Sequence, residues 1–316
     1  VIIAAGLSPA WQQILVFDKL TRGAVNRAVE THGCASGKVV NVAIALTYLQ
    51  ADSLMLSVCG GSSGELIFEE LRSLEVPNRC FAEQAATRTC TTLIERPTGE
   101  ITELVENARP ISAEALQWFQ KVLLESCGPE DWLVFSGSLP SVVGRDSSKL
   151  IYREIMESLE QAGTSPRVIL DARGPELVDC LPLRPFLVKP NREELAMTVG
   201  RPLSDEPSLI AAMREINQRG AEWVLVTHGP DEVWLSSATE LWKFTPPRVD
   251  VVNAIGCGDC LTAGLVAALD RGLSLPEAVK YGIAAAGENA KQLLPSRLDP
   301  RRVESLAQQV RDERLA

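Results

Sequence analysis

A repeat of short apolar runs, each followed by a helix-like amphipathic stretch, most limits what this chain can become. The runs are VIIAAGL (1–7), SLMLSVCG (53–60), DWLVFSG (131–137), RVILDA (167–172), FLVKPN (186–191) and WVLVTHG (223–229). A strand with one wet face alternates apolar and polar residues, whereas VIL and WVLV are apolar on both faces and must be covered on both. Helical spacing falls between the runs, at 38–50, 64–74, 112–126, 147–162, 192–199, 206–219 and 258–271. DEVWL, from 231, is expected to add a further strand. Strands alternating with helices predict βαβ units, hence an α/β fold: a mainly parallel sheet in a three-layer α/β/α sandwich.

Two segments break this rhythm. Residues 12–32 and 88–106 are rich in β-branched residues and alternate like strands, the second with a turn at PTGE. They predict a small β-sheet lid inserted into a single domain spanning 1–316. Such a lid can close over a ligand, and its exposed edges favour pairing with a second copy, so a homodimer through the lid is expected.

The 46% hydrophobic content of this 316-residue chain supports one large core. A formal net charge of -10 argues against a nucleic-acid surface, and any anionic ligand would need local basic residues. No apolar run approaches the roughly 18 residues of a membrane span, and the start VIIAAGLSPAW has no basic leader. A cytoplasmic protein is the expectation. The eight cysteines, at 34, 59, 80, 90, 127, 180, 257 and 260, lie mostly in apolar runs and read as buried free thiols.

The stretch VVNAIGCGDCLTAGLVAAL (251–269) carries the strongest chemical signal. Gly256 and Gly258 permit a tight turn, and the helix after it points its first N–H groups back at the turn, forming an anion hole. Asp259 beside that hole can take a proton from an attacking hydroxyl; alternatively it simply caps the helix. Other signatures fail. GCASGKV (33–39) has the wrong spacing for a P-loop, and Leu261 stands where G-x-G-x-x-G requires glycine. Cys257 and Cys260 form a C-x-x-C pair at a helix start, a thioredoxin-like sign whose oxidation would distort the anion hole. Neither His32 nor His228 has a nucleophile-elbow partner, which disfavours a serine–histidine hydrolase.

NAIGCGDCLTAG resembles the glycine–aspartate signature of the phosphofructokinase B family, within the ribokinase-like sugar kinases. Further matches follow in order: SGKVVNVAIAL (36–46), TRTCTTL (87–93), VFSGSLP (134–140), VILDARG (168–174), LVKPNREEL (187–195) and VLVTHG (224–229). The resemblance implies a ribokinase-like fold, with ATP as donor and Mg2+ as cofactor. It makes Asp259 the catalytic base, with Gly256, Cys257 and Gly258 as the anion hole. Asn191 and Glu194 would sit near Mg2+, largely through water, and Lys189 near the nucleotide phosphates. Thr227 and Gly229 would line the nucleotide site. Lys38, beside Gly37, and Arg88 would anchor the substrate phosphate, with Asn41 and Ser138 on sugar hydroxyls or nearby phosphate. Arg27 on the lid would also reach that phosphate, across a dimer.

Two segments depart from the family pattern. N-P-A-L-D appears as SPAWQ, so Ser8 replaces asparagine and Gln12 stands where an aspartate orients sugar hydroxyls. G-G-K-G appears as SGKV, so Ser36 and Val39 replace glycines, and Val39 is expected to crowd the pocket. The anchors for phosphate remain while the readers of hydroxyls change. The expected activity is conversion of fructose 1-phosphate to fructose 1,6-bisphosphate. Tagatose 6-phosphate kinase, fructose 6-phosphate kinase, a kinase for an unphosphorylated sugar and a non-catalytic sugar-phosphate sensor are the alternatives.

Overall fold

In β1 (Ile2–Ala5), Ile2 and Ala4 face one layer of helices while Ile3 and Ala5 face the other, and all four are inaccessible to solvent. This is the reason the run shows no polar alternation. The structure, a computed structural model, describes residues 1–145 and 150–316. Residues 147–149 of the helix expected over 147–162 lie outside the described residues.

Among the described residues the main sheet has ten strands. From one edge they run β5 (Asn78–Glu83), β4 (Ser53–Gly60), β1, β8 (Trp132–Ser136), β9 (Arg167–Asp171), β10 (Leu187–Val188) and β11 (Trp223–Val226), all parallel. Then β12 (Val233–Ser236), β13 (Leu241–Thr245) and β14 (Arg311–Arg314) continue antiparallel. One face is covered by α1 (Lys38–Tyr48), α2 (Gly61–Ser73), α8 (Cys257–Asp270), α9 (Leu275–Ala290) and α10 (Pro300–Ala307). The other carries α3 (Ala113–Ser126), α4 (Ile151–Gln161), α5 (Gly174–Cys180), α6 (Arg192–Val199) and α7 (Glu206–Gln218). The chain builds outward from β1 to β4 and β5, then crosses back to add β8 on the other side. Such a reversal opens a crevice beyond the carboxyl ends of the strands.

The lid is a separate sheet of four strands in the order β3 (Glu30–Ser36), β2 (Ala10–Phe17), β6 (Arg88–Glu95), β7 (Glu100–Val105). Its strands extend beyond the expected windows, to Ala10 at one end and Ser36 at the other. The two halves join through parallel pairing of β2 with β6, from Ala10 opposite Arg88 to Phe17 opposite Glu95. The expected turn at PTGE closes β6 onto β7, with the Gly99 N–H donating to Glu95 O at 2.8 Å. Ile14, Val16, Cys34 and Ile94 pack with Leu293 and Leu294, which follow α9.

Two strands stop short of their expected ends. The run 186–191 forms a continuous ladder at Leu187 and Val188, is interrupted at Pro190, which has no N–H to give, and makes one further parallel bridge from Asn191 to Thr227. The run 223–229 ends at Val226, where a turn begins with Asp231 N–H donating to His228 O. Helices α8 and α9 lie unusually close. A Cβ on Gly264 would fall 2.8 Å from the Ala285 Cβ, and one on Gly282 would fall 2.6 Å from Leu261 O. Only glycine at both positions permits that approach.

Candidate active site

The carboxyl ends of the parallel strands, the lid and two helix N-termini enclose a cleft of about 570 Å³. Helices α1 and α8 both start at its wall after a glycine with positive φ, Gly37 at 90° and Gly256 at 78°, and neither has a side-chain cap. The Cys257 N–H donates to Ala254 O at 3.3 Å, while the N–H groups of Gly258 and Asp259 in α8 and of Lys38 and Val39 in α1 have no partner among the described residues, and the helix dipoles favour an anion there. A Cβ on Gly256 would come within 3.4 Å of Asn41 Nδ2, so this glycine also makes room for the asparagine.

Asp259 lies in the first turn of α8 and is 7% exposed. Its Oδ2 accepts a hydrogen bond from Asn41 Nδ2 at 2.7 Å. Burial foremost, and then the Asp171 carboxylate, push the Asp259 carboxyl up to about 6, against the pull of Lys38, Asn41 and Lys189. A carboxylate tuned towards neutral pH beside free amides is suited to general-base work.

Asp171 ends β9 with its side chain fully buried between two lysines. Lys38 Nζ is 3.0 Å from its Oδ1 and Lys189 Nζ is 3.4 Å from its Oδ2. Burial opposes ionisation of Asp171, but Lys189 and Lys38 outweigh it and hold the carboxyl below its usual range. Burial likewise works against the Lys38 ammonium, which Asp171 first, then Glu194 and Asp259, nonetheless raise above its ordinary value. On the lid side, Arg88 donates to the carbonyl oxygens of Pro9, Glu106 and Ser8 at 3.2 to 3.4 Å. Among the described residues it has no carboxylate within ion-pair distance, so its charge is uncompensated at the cleft wall.

Sequence position alone separates the expected site residues by more than two hundred positions, yet most of them meet here. Gln12, Gly37, Lys38, Asn41, Arg88, Lys189, Asn191, Glu194, Thr227 and the turn Gly256 to Asp259 all line this cleft. Ser138, Arg27 and Gly229 do not. Ser138 is exposed beyond Gly137, Arg27 is exposed in the connection between β2 and β3, and Gly229 lies in the turn after β11. Asn191 and Glu194 form a capping box at α6: Asn191 Oδ1 accepts from Glu194 N, and Glu194 Oε2 accepts from Asn191 N. Val39 is fully buried and packs against Gly6 of the core, so it does not crowd the cleft. Gln12 donates through Nε2 to Thr92 Oγ1 at 2.7 Å and to Gln13 O at 3.3 Å.

Residues 12–298 match the pfkB family carbohydrate kinase. The chain belongs to this family. This kinase is 32% identical over 273 residues to the 1-phosphofructokinase of Xanthomonas campestris pv. campestris, covering 84% of this chain and 83% of the relative. It is 26% identical to the tagatose-6-phosphate kinase of Staphylococcus epidermidis, covering 98% of each chain. The tetrameric inhibited form of phosphofructokinase-2 from Escherichia coli shares its fold, with a TM-score of 0.87 at 23% identity over 98% of each chain. The ribokinase-like fold, with its large, mostly parallel sheet and smaller second sheet, is thus the architecture of a carbohydrate kinase.

The C-x-x-C pair of this kinase holds two free thiols. Cys257 Sγ accepts from Asn289 Nδ2 at 3.2 Å, and Cys260 Sγ donates to Ser296 Oγ at 3.5 Å. Burial pushes Cys257 up to about 11 and Cys260 well above the ordinary thiol range, opposite to a thioredoxin-like thiolate. Asp171 is a site residue to which sequence reasoning assigned no role. Its signals are a carboxylate closing the apolar run RVILD at the end of a buried strand and its place in the VILDARG segment, neither of which says what it does. Glu103, Ile101 and Val105 of β7 also face the cleft without having been singled out.

Proposed function

We propose that this kinase transfers the γ-phosphoryl group of ATP to a phosphosugar, with fructose 1-phosphate as acceptor and fructose 1,6-bisphosphate as product. Arg88 carries this reading. An uncompensated guanidinium in a protein of net charge -10 points to an anionic group on the acceptor itself, and relatives named 1-phosphofructokinase fit the same class. Asp259 accepts the proton of the sugar hydroxyl as its oxygen attacks the γ-phosphorus and ADP leaves. The backbone amides of Gly258 and Asp259 at the start of α8, with Lys189, stabilise the charge that spreads over the transferred group. Lys38 and Arg88 hold the substrate phosphate, while Thr227 borders the nucleotide. Lid closure excludes water that would otherwise hydrolyse ATP.

Mg2+ fits this site as a hydrated ion. The capping box engages Asn191 Oδ1 and Glu194 Oε2, and no group of three His, Cys, Asp or Glu is arranged as a metal cage among the described residues. Asn191 and Glu194 would hold the ion through water, and when bound it would neutralise the donor's phosphates. The reading extends to a homodimer through the outer lid face, where Leu15, Leu93 and the 55%-exposed Leu104 lie opposite the buried Ile14 and Ile94. Among the described residues no helix is long and apolar enough to cross a membrane, and a cytoplasmic site of action is part of the proposal.

The test is ADP release from ATP and Mg2+ with fructose 1-phosphate, fructose 6-phosphate, tagatose 6-phosphate, fructose and ribose, beside an Asp259→Asn control. Fructose 1-phosphate should give the highest kcat/KM, and the control should abolish turnover. Equal rates with unphosphorylated fructose would refute the phosphosugar reading.

A further inference from the structure

Ser36 closes the last lid strand, β3, at the point where the chain enters α1. It is 2% exposed, and its Oγ–H donates to Asn41 Oδ1 at 3.1 Å. The other end of the same amide donates through Nδ2 to Asp259 Oδ2 at 2.7 Å. Asn41 itself is 3% exposed and lies against Gly256, so the amide is confined by packing as well as by hydrogen bonds. A hydroxyl can donate or accept, so an amide could in principle turn either way in such a row; an ionised carboxylate can only accept. The row therefore has one self-consistent order when Asp259 is ionised: hydroxyl to amide oxygen, amide nitrogen to carboxylate.

We propose that Ser36 is a positioning residue for the base: its hydroxyl fixes the Asn41 amide so that the NH2 group, and not the carbonyl oxygen, faces Asp259. The inference rests on Asp259 acting as the base. It assigns a role to a position where the family pattern has glycine, which offers no hydroxyl for this purpose. Asn41 then keeps one N–H for the sugar, so its contribution is divided between substrate and base. Because Ser36 belongs to the lid, displacement of β3 would loosen the orientation of the base as well as open the cleft.

The other charged groups around Asp259 are Asp171 from β9, Lys189 after β10 and Lys38 from α1. Cys257 and Cys260 share its helix, and both keep their protons; Arg88 and Glu103 face the cleft from the lid. None of these is changed by removing the Ser36 hydroxyl. Loss of the fixed amide should weaken one hydrogen bond to the ionised carboxylate and favour its protonated form.

The experiment compares pH profiles of kcat and both KM values for the parent, Ser36→Ala, Ser36→Gly, Asn41→Ala, the Ser36→Ala/Asn41→Ala double variant and Asp259→Asn. Removal of the Ser36 hydroxyl should move the acid limb of kcat up by about one pH unit, about a tenfold loss on that limb, with either KM little changed. Asn41→Ala should move the limb at least as far. The double variant should move it no further than Asn41→Ala, since Ser36 acts through Asn41. Ser36→Gly provides the same readout where Ser36→Ala does not fold. An unmoved acid limb in folded Ser36 variants overturns the proposal, as does a raised phosphosugar KM with unchanged kcat, or additive shifts in the double variant. Full turnover by Asp259→Asn would instead remove the underlying assignment of the base.

Discussion

Replacing Asp259 by Asn should make this protein more stable as it removes turnover, and the gain should depend on pH in a specific way. The native environment raises the Asp259 carboxyl from 3.8 to about 6. A raised folded-state pKa contributes stability that is fully present below 3.8 and is lost as pH rises through about 6, because the folded chain must then hold an unfavourable charge. At 1.36 kcal/mol per unit, the full loss is about 3 kcal/mol by pH 8 and about half of that at pH 5. Asparagine never carries the charge, and its Oδ1 can still accept from Asn41 Nδ2. Urea unfolding of parent and variant across pH 4 to 8 reads the difference directly. The variant should be more stable by about 3 kcal/mol at pH 8, by about 1.5 kcal/mol at pH 5, and by little near pH 4. A variant no more stable than the parent at pH 8, or a gap that ignores pH, would refute the account of Asp259 as a carboxylate held under strain for function.

Three further changes test neighbouring parts of the site and fold. Asp171→Asn leaves Lys189, with a side chain only 6% exposed, without its buried partner; it should cost about 3–5 kcal/mol in urea unfolding. The same change removes a negative neighbour of Asp259, so any remaining activity should show its acid limb at lower pH than the parent. Arg88→Ala should raise the phosphosugar KM by about tenfold or more, as expected for loss of charge-assisted hydrogen bonds, while the ATP KM stays within about twofold. Gly264→Ala forces a methyl group towards Ala285 and Gly282; it should cost about 1–3 kcal/mol and lower the urea midpoint.

The central strands were legible because burial on both faces leaves a continuous apolar record, as in Ile2 to Ala5 and Leu133 to Phe135. Asp259 and its glycine turn were legible because the backbone geometry of a helix start constrains the residues themselves. Asp171 was not, since its meaning depends on lysines at 38 and 189 that only the folded sheet brings to it. Helix α9 was missed although Ser274 and Glu277 form a capping box at its start. Its segment GIAAAGENA is built from small residues packed against α8, so it lacks a strong stripe of large apolar side chains. Val39 and Ser36 show the limit most clearly. Both replace a glycine of the family pattern, yet one turns into the core and the other towards Asn41. Their directions are set by tertiary packing and not by residue type.

The pairing of β2 with β6 has a consequence for the order in which the molecule assembles. Gln12 and Thr92 touch across the lid but are 80 residues apart along the chain. Closing so long a loop is entropically unfavourable until β1, β4 and β5 have already brought those segments together. The lid is therefore expected to zip up after the first parallel strands and to open before they do. Its amides should exchange with solvent deuterium sooner than those of β1, and limited proteolysis should find it first. The element proposed to close over the substrate would then also be the last piece of the molecule to become native.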